Sequence, residues 1–135
     1  MRVTRILGMV VVFLLTLSVT NYAAAKTKMP AGVKIKKTAK GSVLTDSKGM
    51  TLYTFDKDTA PNKSVCNGPC AQNWPPLAAA ADAKPMGAWT VVTRDDGSKQ
   101  WAYKGKPLYT FAKDKSPGDT MGDGFLNNAW HVAKP

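Results

Sequence analysis

Apolar and polar positions alternate with a period of two along two separate stretches of the chain. In the first, Val33-Lys34-Ile35 leads to a turn at Lys40-Gly41-Ser42, then to Val43-Leu44-Thr45, a second turn at Ser47-Lys48-Gly49, and the run Thr51-Leu52-Tyr53-Thr54-Phe55. In the second, Trp89 to Thr93 precedes Asp95-Asp96-Gly97-Ser98, followed by Lys99 to Tyr103, a Lys104-Gly105 turn and Pro107 to Phe111. A period of two sends successive side chains to opposite faces of a strand, and Asp-Gly between such runs is a hairpin signal. Pro107 suits the entry of a strand, where no ladder N–H is needed. Each stretch therefore predicts a three-stranded antiparallel meander. After each comes a loop rich in Gly, Asn, Asp and Pro that ends in a tryptophan, Trp74 or Trp130. Ala71 to Trp74 has room for one short helical turn before Pro75-Pro76 ends it.

The two stretches are copies of one another. Displaced by 56 positions, Gly49 to Asp58 overlays Gly105 to Asp114, Pro61 meets Pro117, Gly68 meets Gly124 and Trp74 meets Trp130. Residues 33–74 and 89–130 align without a gap and share 13 identities in 42 positions. The repeats span 33–77 and 89–133, with an Ala/Pro-rich connector, Ala78 to Gly87, between them. A single repeat of this size is too small to bury a core of its own. The expected fold is all-β: two tandem meanders packed with pseudo-twofold symmetry into a small barrel or sandwich with long loops.

The N-terminus reads differently. Arg2 and Arg5 precede a nearly unbroken apolar run from Ile6 to Val19, and Ala23-Ala24-Ala25 follows as a small-residue cleavage site. The run is short of the ~20 residues that span a bilayer. Residues 1–25 are thus expected to be a signal helix outside the fold, cleaved after Ala25, and 26–135 a single exported domain, periplasmic or secreted. No cysteine adjoins the cleavage site, so no stable membrane anchor is expected after cleavage.

Composition narrows the function. All nine acids are Asp, and there is one His and two Cys in 135 residues. Asp favours turns and caps, whereas the missing Glu favours helices. With one His and no Glu, two-His metal sites and paired-Glu glycosidases are excluded, and no Ser-His-Asp set or phosphate-cradling glycine loop stands out. Removing 1–25 leaves 17 basic residues against nine Asp, a net charge of +8, with Arg94 the lone arginine. Such a lysine-rich surface favours solubility and association with anionic surfaces, namely lipopolysaccharide, acidic polymers or membrane. Nucleic acid is not expected, because base readout leans on arginine.

The sharpest motif is the repeated Tyr-x-Phe-x-x-Asp: Tyr53, Phe55, Asp58 and Tyr109, Phe111, Asp114. Tyr53 and Phe55 share one strand face, Leu52 and Thr54 the other. The motif reads either as core packing with an Asp that binds loop N–H groups, or as a symmetric groove walled by Trp74 and Trp130. Cys66 and Cys70 lie close enough in an exported chain to predict a disulfide, confined to one repeat because its counterparts are Gly122 and Leu126. Redox-active pairs favour two intervening residues. A copper-type site would have to draw on Cys66, Cys70, Met121 and His131, but their spacing does not support it. The Asp119 to Gly124 loop lacks the alternating acids of a Ca²⁺ loop. No metal and no cofactor is expected.

These residues resemble a known family. The repeated Tyr53-x-Phe55-x-x-Asp58, the block from Cys66 through Trp74-Pro75-Pro76-Leu77, and Pro117-Gly118-Asp119 to Trp130 are similar to the bacterial secreted repeat of unknown function, also described as predicted lipoproteins with a Tyr-x-aromatic-x-x-Asp motif. The resemblance covers about 33–133. It implies an exported tandem-repeat domain and no established activity. Many members are lipid-anchored, which the absent cysteine after the signal segment does not match. The expected function is that of a non-enzymatic envelope-binding or structural module. The alternative is a periplasmic redox or metal-handling protein using Cys66, Cys70, Met121 and His131.

Overall fold

The computed structural model describes residues 11–12 and 28–135. The signal segment expected over 1–25 lies almost wholly outside the described residues. Strands β1 (Lys34–Thr38) and β2 (Gly41–Thr45) form a hairpin, and β3 (Tyr53–Phe55) follows. A five-residue helix, α1 (Pro69–Asn73), precedes β4 (Trp89–Thr93), β5 (Lys99–Tyr103) and β6 (Lys106–Pro107), and β7 (Trp130–Val132) closes the chain. All pairings are antiparallel, in three small sheets ordered β1-β2, β3-β7 and β4-β5-β6. The class is all-β with two tandem repeats, but the sheets do not close into a barrel. Among the described residues no helix is long and apolar enough to cross a membrane.

The meanders are not self-contained. The first meander continues through the bridge of Thr45 with Thr51, where Asp46 N–H donates to Met50 and Leu52 N–H to Leu44. Its third strand, β3, pairs along its length with β7, the end of the second repeat, with Tyr53 opposite Val132 and Phe55 opposite Trp130. The converse contact joins Tyr109 to Pro76, the end of the first repeat. At the centre Tyr53 and Tyr109 exchange both backbone hydrogen bonds, at 2.8 and 3.0 Å. Each repeat thus lends its last residues to the Tyr strand of the other. Neither copy can satisfy its own backbone groups alone, and unpaired buried N–H and C=O groups are costly.

Two cores follow from the strand alternation. Leu52 and Leu108 enter one, with Val33, Leu44, Trp89, Trp101 and Ala133. Tyr53, Phe55, Tyr109 and Phe111 enter the other, with Val43, Cys66, Trp74, Trp130 and Val132. The latter is a four-ring stack arranged about the pseudo-twofold axis. Trp74 and Trp130 lie face to face at 3.7 Å between ring centroids and 3° between planes. Phe55 stacks on Trp130 and Phe111 on Trp74, each at 4.1 Å. Tyr53 and Tyr109 meet the tryptophans edge-on, at 5.4 and 5.1 Å. Edge-to-face and offset aromatic pairs stabilise by ~0.5–1.5 kcal/mol each beyond the area they bury.

The copies match less simply than the gapless alignment predicts. Leu44 donates its N–H to Ala133 and accepts from Leu52, whereas the corresponding bonds of the second repeat are made by Trp101, not Gln100. The second hairpin turn holds one residue more and the following connection one fewer. The hydrogen-bond ladder, not the identities, decides the register here. Gln100, fully buried, therefore stands opposite the role of Val43.

Replacing Trp74 or Trp130 by alanine is expected to cost ~3–5 kcal/mol, the range for a buried tryptophan. Because the two rings stack on each other, the double variant should lose less than the sum of the singles. Urea unfolding of the three proteins checks both statements.

Candidate functional site

The repeated motif converges across the repeats rather than within them. Tyr53 Oη donates to Asp114 Oδ2 at 2.5 Å, and Tyr109 Oη donates to Asp58 Oδ2 at 2.5 Å. The second oxygen of each carboxylate accepts a loop N–H, Val65 to Asp58 at 2.8 Å and Met121 to Asp114 at 3.0 Å. Val65 and Met121 are themselves repeat equivalents. Each Asp therefore ties its own loop to the tyrosine of the other copy, with one hydrogen bond to each carboxylate oxygen. In this geometry Tyr53 and Tyr109 are buried with an Asp-bearing loop closing over each, and Trp74 and Trp130 lie in the same core.

Burial, followed by the hydrogen bond to the carboxylate, pushes both tyrosine hydroxyls well above the ordinary tyrosine range. Burial likewise raises both carboxyls above the usual value. The Tyr109 and Val65 hydrogen bonds and the Arg94 charge act against it at Asp58, the Tyr53 and Met121 hydrogen bonds at Asp114. The tyrosines therefore stay neutral donors across the physiological range.

The two halves differ in what completes the tyrosine. Tyr53 Oη accepts the Gly122 N–H at 3.2 Å. A Cβ on Gly122 would sit 2.7 Å from the Trp74 ring, so only glycine fits there. Tyr109 Oη instead meets Ser64 Oγ at 2.6 Å, and Ser64 Oγ accepts from Arg94 at 2.9 Å. Arg94 also donates to Gln100 Oε1 at 2.7 Å and to the Cys66 carbonyl. The result is a buried chain from guanidinium through two hydroxyls to the Asp58 carboxylate. A buried cation needs such complete hydrogen bonding. Arg94, Ser64, Gln100 and Gly122 were not foreseen as a network. The only signal was that Arg94 is the one arginine after residue 25.

Cys66 and Cys70 form the predicted disulfide, with Cα atoms 5.1 Å apart. It staples α1 to the loop whose carbonyl Arg94 holds. The other soft ligands lie elsewhere in the fold. His131 Nε2 is 2.8 Å from Asp56 Oδ2, and Met121 is 64 % exposed on the second-repeat loop. Among the described residues no three His, Cys or Asp side chains come together as a metal would require.

Open concavities lie on the surface instead. One, of about 280 Å³, is lined by Lys104, Lys106, Lys134, His131 and Thr54. A second, of about 320 Å³, is lined by Lys34, Lys36, Lys48 and Ser47 beside Pro117. Neither has an Asp in its wall. Lys48 and Lys104 are repeat equivalents on Lys-Gly turns whose glycines, Gly49 and Gly105, both adopt left-handed backbone, at φ 80° and 81°. These turns set a lysine at the mouth of each cleft.

Fold and motif together define a pseudo-symmetric tandem-repeat β-protein in which the two copies are interlocked by crossed Tyr–Asp bonds. The family profile described as secreted repeat of unknown function matches residues 34–78 and 90–134, so the chain belongs to that family. The secreted description agrees with an exported protein. No curated protein and no solved structure matches the chain.

Two outcomes are expected. A carboxyl whose folded pKa is raised contributes stability that is present below its unfolded value and lost as pH rises through the folded value. The destabilisation caused by Asp114→Asn should therefore be larger near pH 4 than at neutral pH, measured as paired urea titrations. Reducing Cys66–Cys70 opens a five-residue loop and should cost ~2 kcal/mol on loop-closure entropy, measured with and without a thiol reductant.

Proposed function

We propose that this protein is a non-enzymatic, exported binding module that takes up anionic groups of the cell envelope, such as lipopolysaccharide phosphates or acidic polymers, in its lysine-lined clefts. The observation that carries this reading is the pair of lysine-lined clefts, one on Lys104, Lys106 and Lys134, the other on Lys34, Lys36 and Lys48. Lysine is a compact, mobile point charge suited to diverse anions rather than to one planar group. Two separate clefts favour a polymeric anion, because the second contact forms at high effective concentration. The motif residues serve the scaffold: both oxygens of Asp58 and of Asp114 accept a hydrogen bond from it. Cleavage after Ala25 belongs to the same reading and is checked by the intact mass of the exported protein.

Titration of the exported protein with lipopolysaccharide and with polyglutamate should show binding that weakens steeply as salt is added, since exposed charges are screened within about 8 Å at physiological ionic strength. The triple replacement Lys104→Gln, Lys106→Gln and Lys134→Gln should weaken it about tenfold at low salt without changing the melting temperature. Absence of binding at low salt, or an unaffected triple variant, would overturn the assignment.

A further inference from the structure

The loop of the second repeat carries a feature that the first lacks. Gly124, Leu126, Asn127 and Asn128 all have left-handed backbone, with φ 78°, 56°, 54° and 64°. Glycine and asparagine tolerate this region, whereas leucine does so rarely. The equivalent stretch of the first repeat is the right-handed helix α1, whose Cys70, the counterpart of Leu126, is drawn inward by the disulfide to buried Cys66. In the second repeat nothing draws Leu126 inward. It is 54 % exposed, in the same loop as Met121 at 64 %, and follows Phe125, whose half-exposed ring packs on Phe111 and Trp74 at 5.3 and 5.9 Å.

The turn that presents them is firmly tied. Phe125 N–H donates to Gly122, Gly124 N–H to Trp130 and Asn128 N–H to Gly124. Asp123 Oδ1 accepts the Val132 N–H. Unusual backbone held in place by its surroundings points to a use for what it presents. Lysine reaches the apolar tip at Phe125, and further lysines meet the loop away from the tip. Lys113 Nζ lies 6.0 Å from the Phe125 ring, Lys40 Nζ is 3.4 Å from Asp123, and the Lys36 side chain runs against Gly118 of the same loop.

We propose that the 121–126 loop docks the protein on an anionic lipid bilayer, with Met121 and Leu126 entering the interfacial zone beside Phe125, and Lys113 remaining at the headgroups. Exposed apolar residues beside a lysine suit the boundary between acyl chains and acidic headgroups. A second copy is a poor occupant: the three side chains expose on the order of 300 Å², against about 800 Å² per partner in a stable interface. The inference rests on the anionic-partner reading for the lysines, whereas the apolar tip is independent of it.

The test is flotation of the exported protein with phosphatidylglycerol vesicles and with phosphatidylcholine vesicles at physiological ionic strength, alongside polyglutamate binding. The wild type should float with the anionic vesicles only. Met121→Ser with Leu126→Ser should lose about tenfold in vesicle affinity and keep its affinity for polyglutamate. Leu126→Gly relieves the backbone and removes the side chain, so it should melt at a higher temperature yet bind vesicles more weakly; a merely structural leucine would not move the two in opposite directions. The proposal is overturned if the double variant floats like the wild type, if Leu126→Gly lowers the melting temperature, if the wild type binds polyglutamate but not vesicles, or if the loop residues control dimerisation instead. Failure to bind either polyglutamate or vesicles would overturn the anionic-partner reading as well.

Discussion

Everything in this fold hangs on the backbone pair formed by Tyr53 and Tyr109. These two residues occupy the same place in the two copies and exchange both main-chain hydrogen bonds, which puts the pseudo-twofold axis between them. Once they pair, their side chains must cross to the opposite copy. There each hydroxyl meets the Asp of the other repeat, and Trp74 comes to lie on Trp130. The same constraint carries the ends of the repeats across, so Val132 reaches Tyr53 and Pro76 reaches Tyr109. The motif is thus a device for joining two halves that are too small to be stable apart.

The symmetry between the two copies is incomplete. Arg94 comes from the second hairpin yet completes the first loop through Ser64, Gln100 and the Cys66 carbonyl. The disulfide acts on the same side, closing α1 against a buried sulfur. The second loop has neither. Gly122 fills the space under Trp74, and the chain beyond it turns left-handed with its apolar side chains outward. The duplicated scaffold therefore carries one loop closed by a disulfide and one without it.

Much of the architecture was legible in the alternation of side chains. Leu52 and Leu108 enter one core and Tyr53, Phe55, Tyr109 and Phe111 the other, as period-two reasoning requires. The disulfide followed from two nearby cysteines in an exported chain. Three things were not legible. The third strand of the first meander pairs with β7, and pairing partners far apart in sequence leave no local mark. The one-residue shift between Leu44 and Trp101 was hidden by the Gly-Ser identities at 41–42 and 97–98, which align by letter but not by hydrogen bond. Arg94 looked like surface charge, since nothing in its neighbours announces burial.

The amino-acid order alone determined that the chain is a duplicated, all-β, lysine-rich protein of a secreted family, with a Tyr-x-Phe-x-x-Asp motif in each copy. Those properties are local: periodicity, turn residues, spacing and charge are read over a few positions. The tertiary structure decided which tyrosine answers which aspartate, that the lysines of distant turns and strands face common clefts, and that Leu126 points outward where Cys70 points in. Those properties depend on contacts between residues as many as 94 positions apart, such as Lys134 with the Lys40 carbonyl, and only closing the chain on itself brings them together.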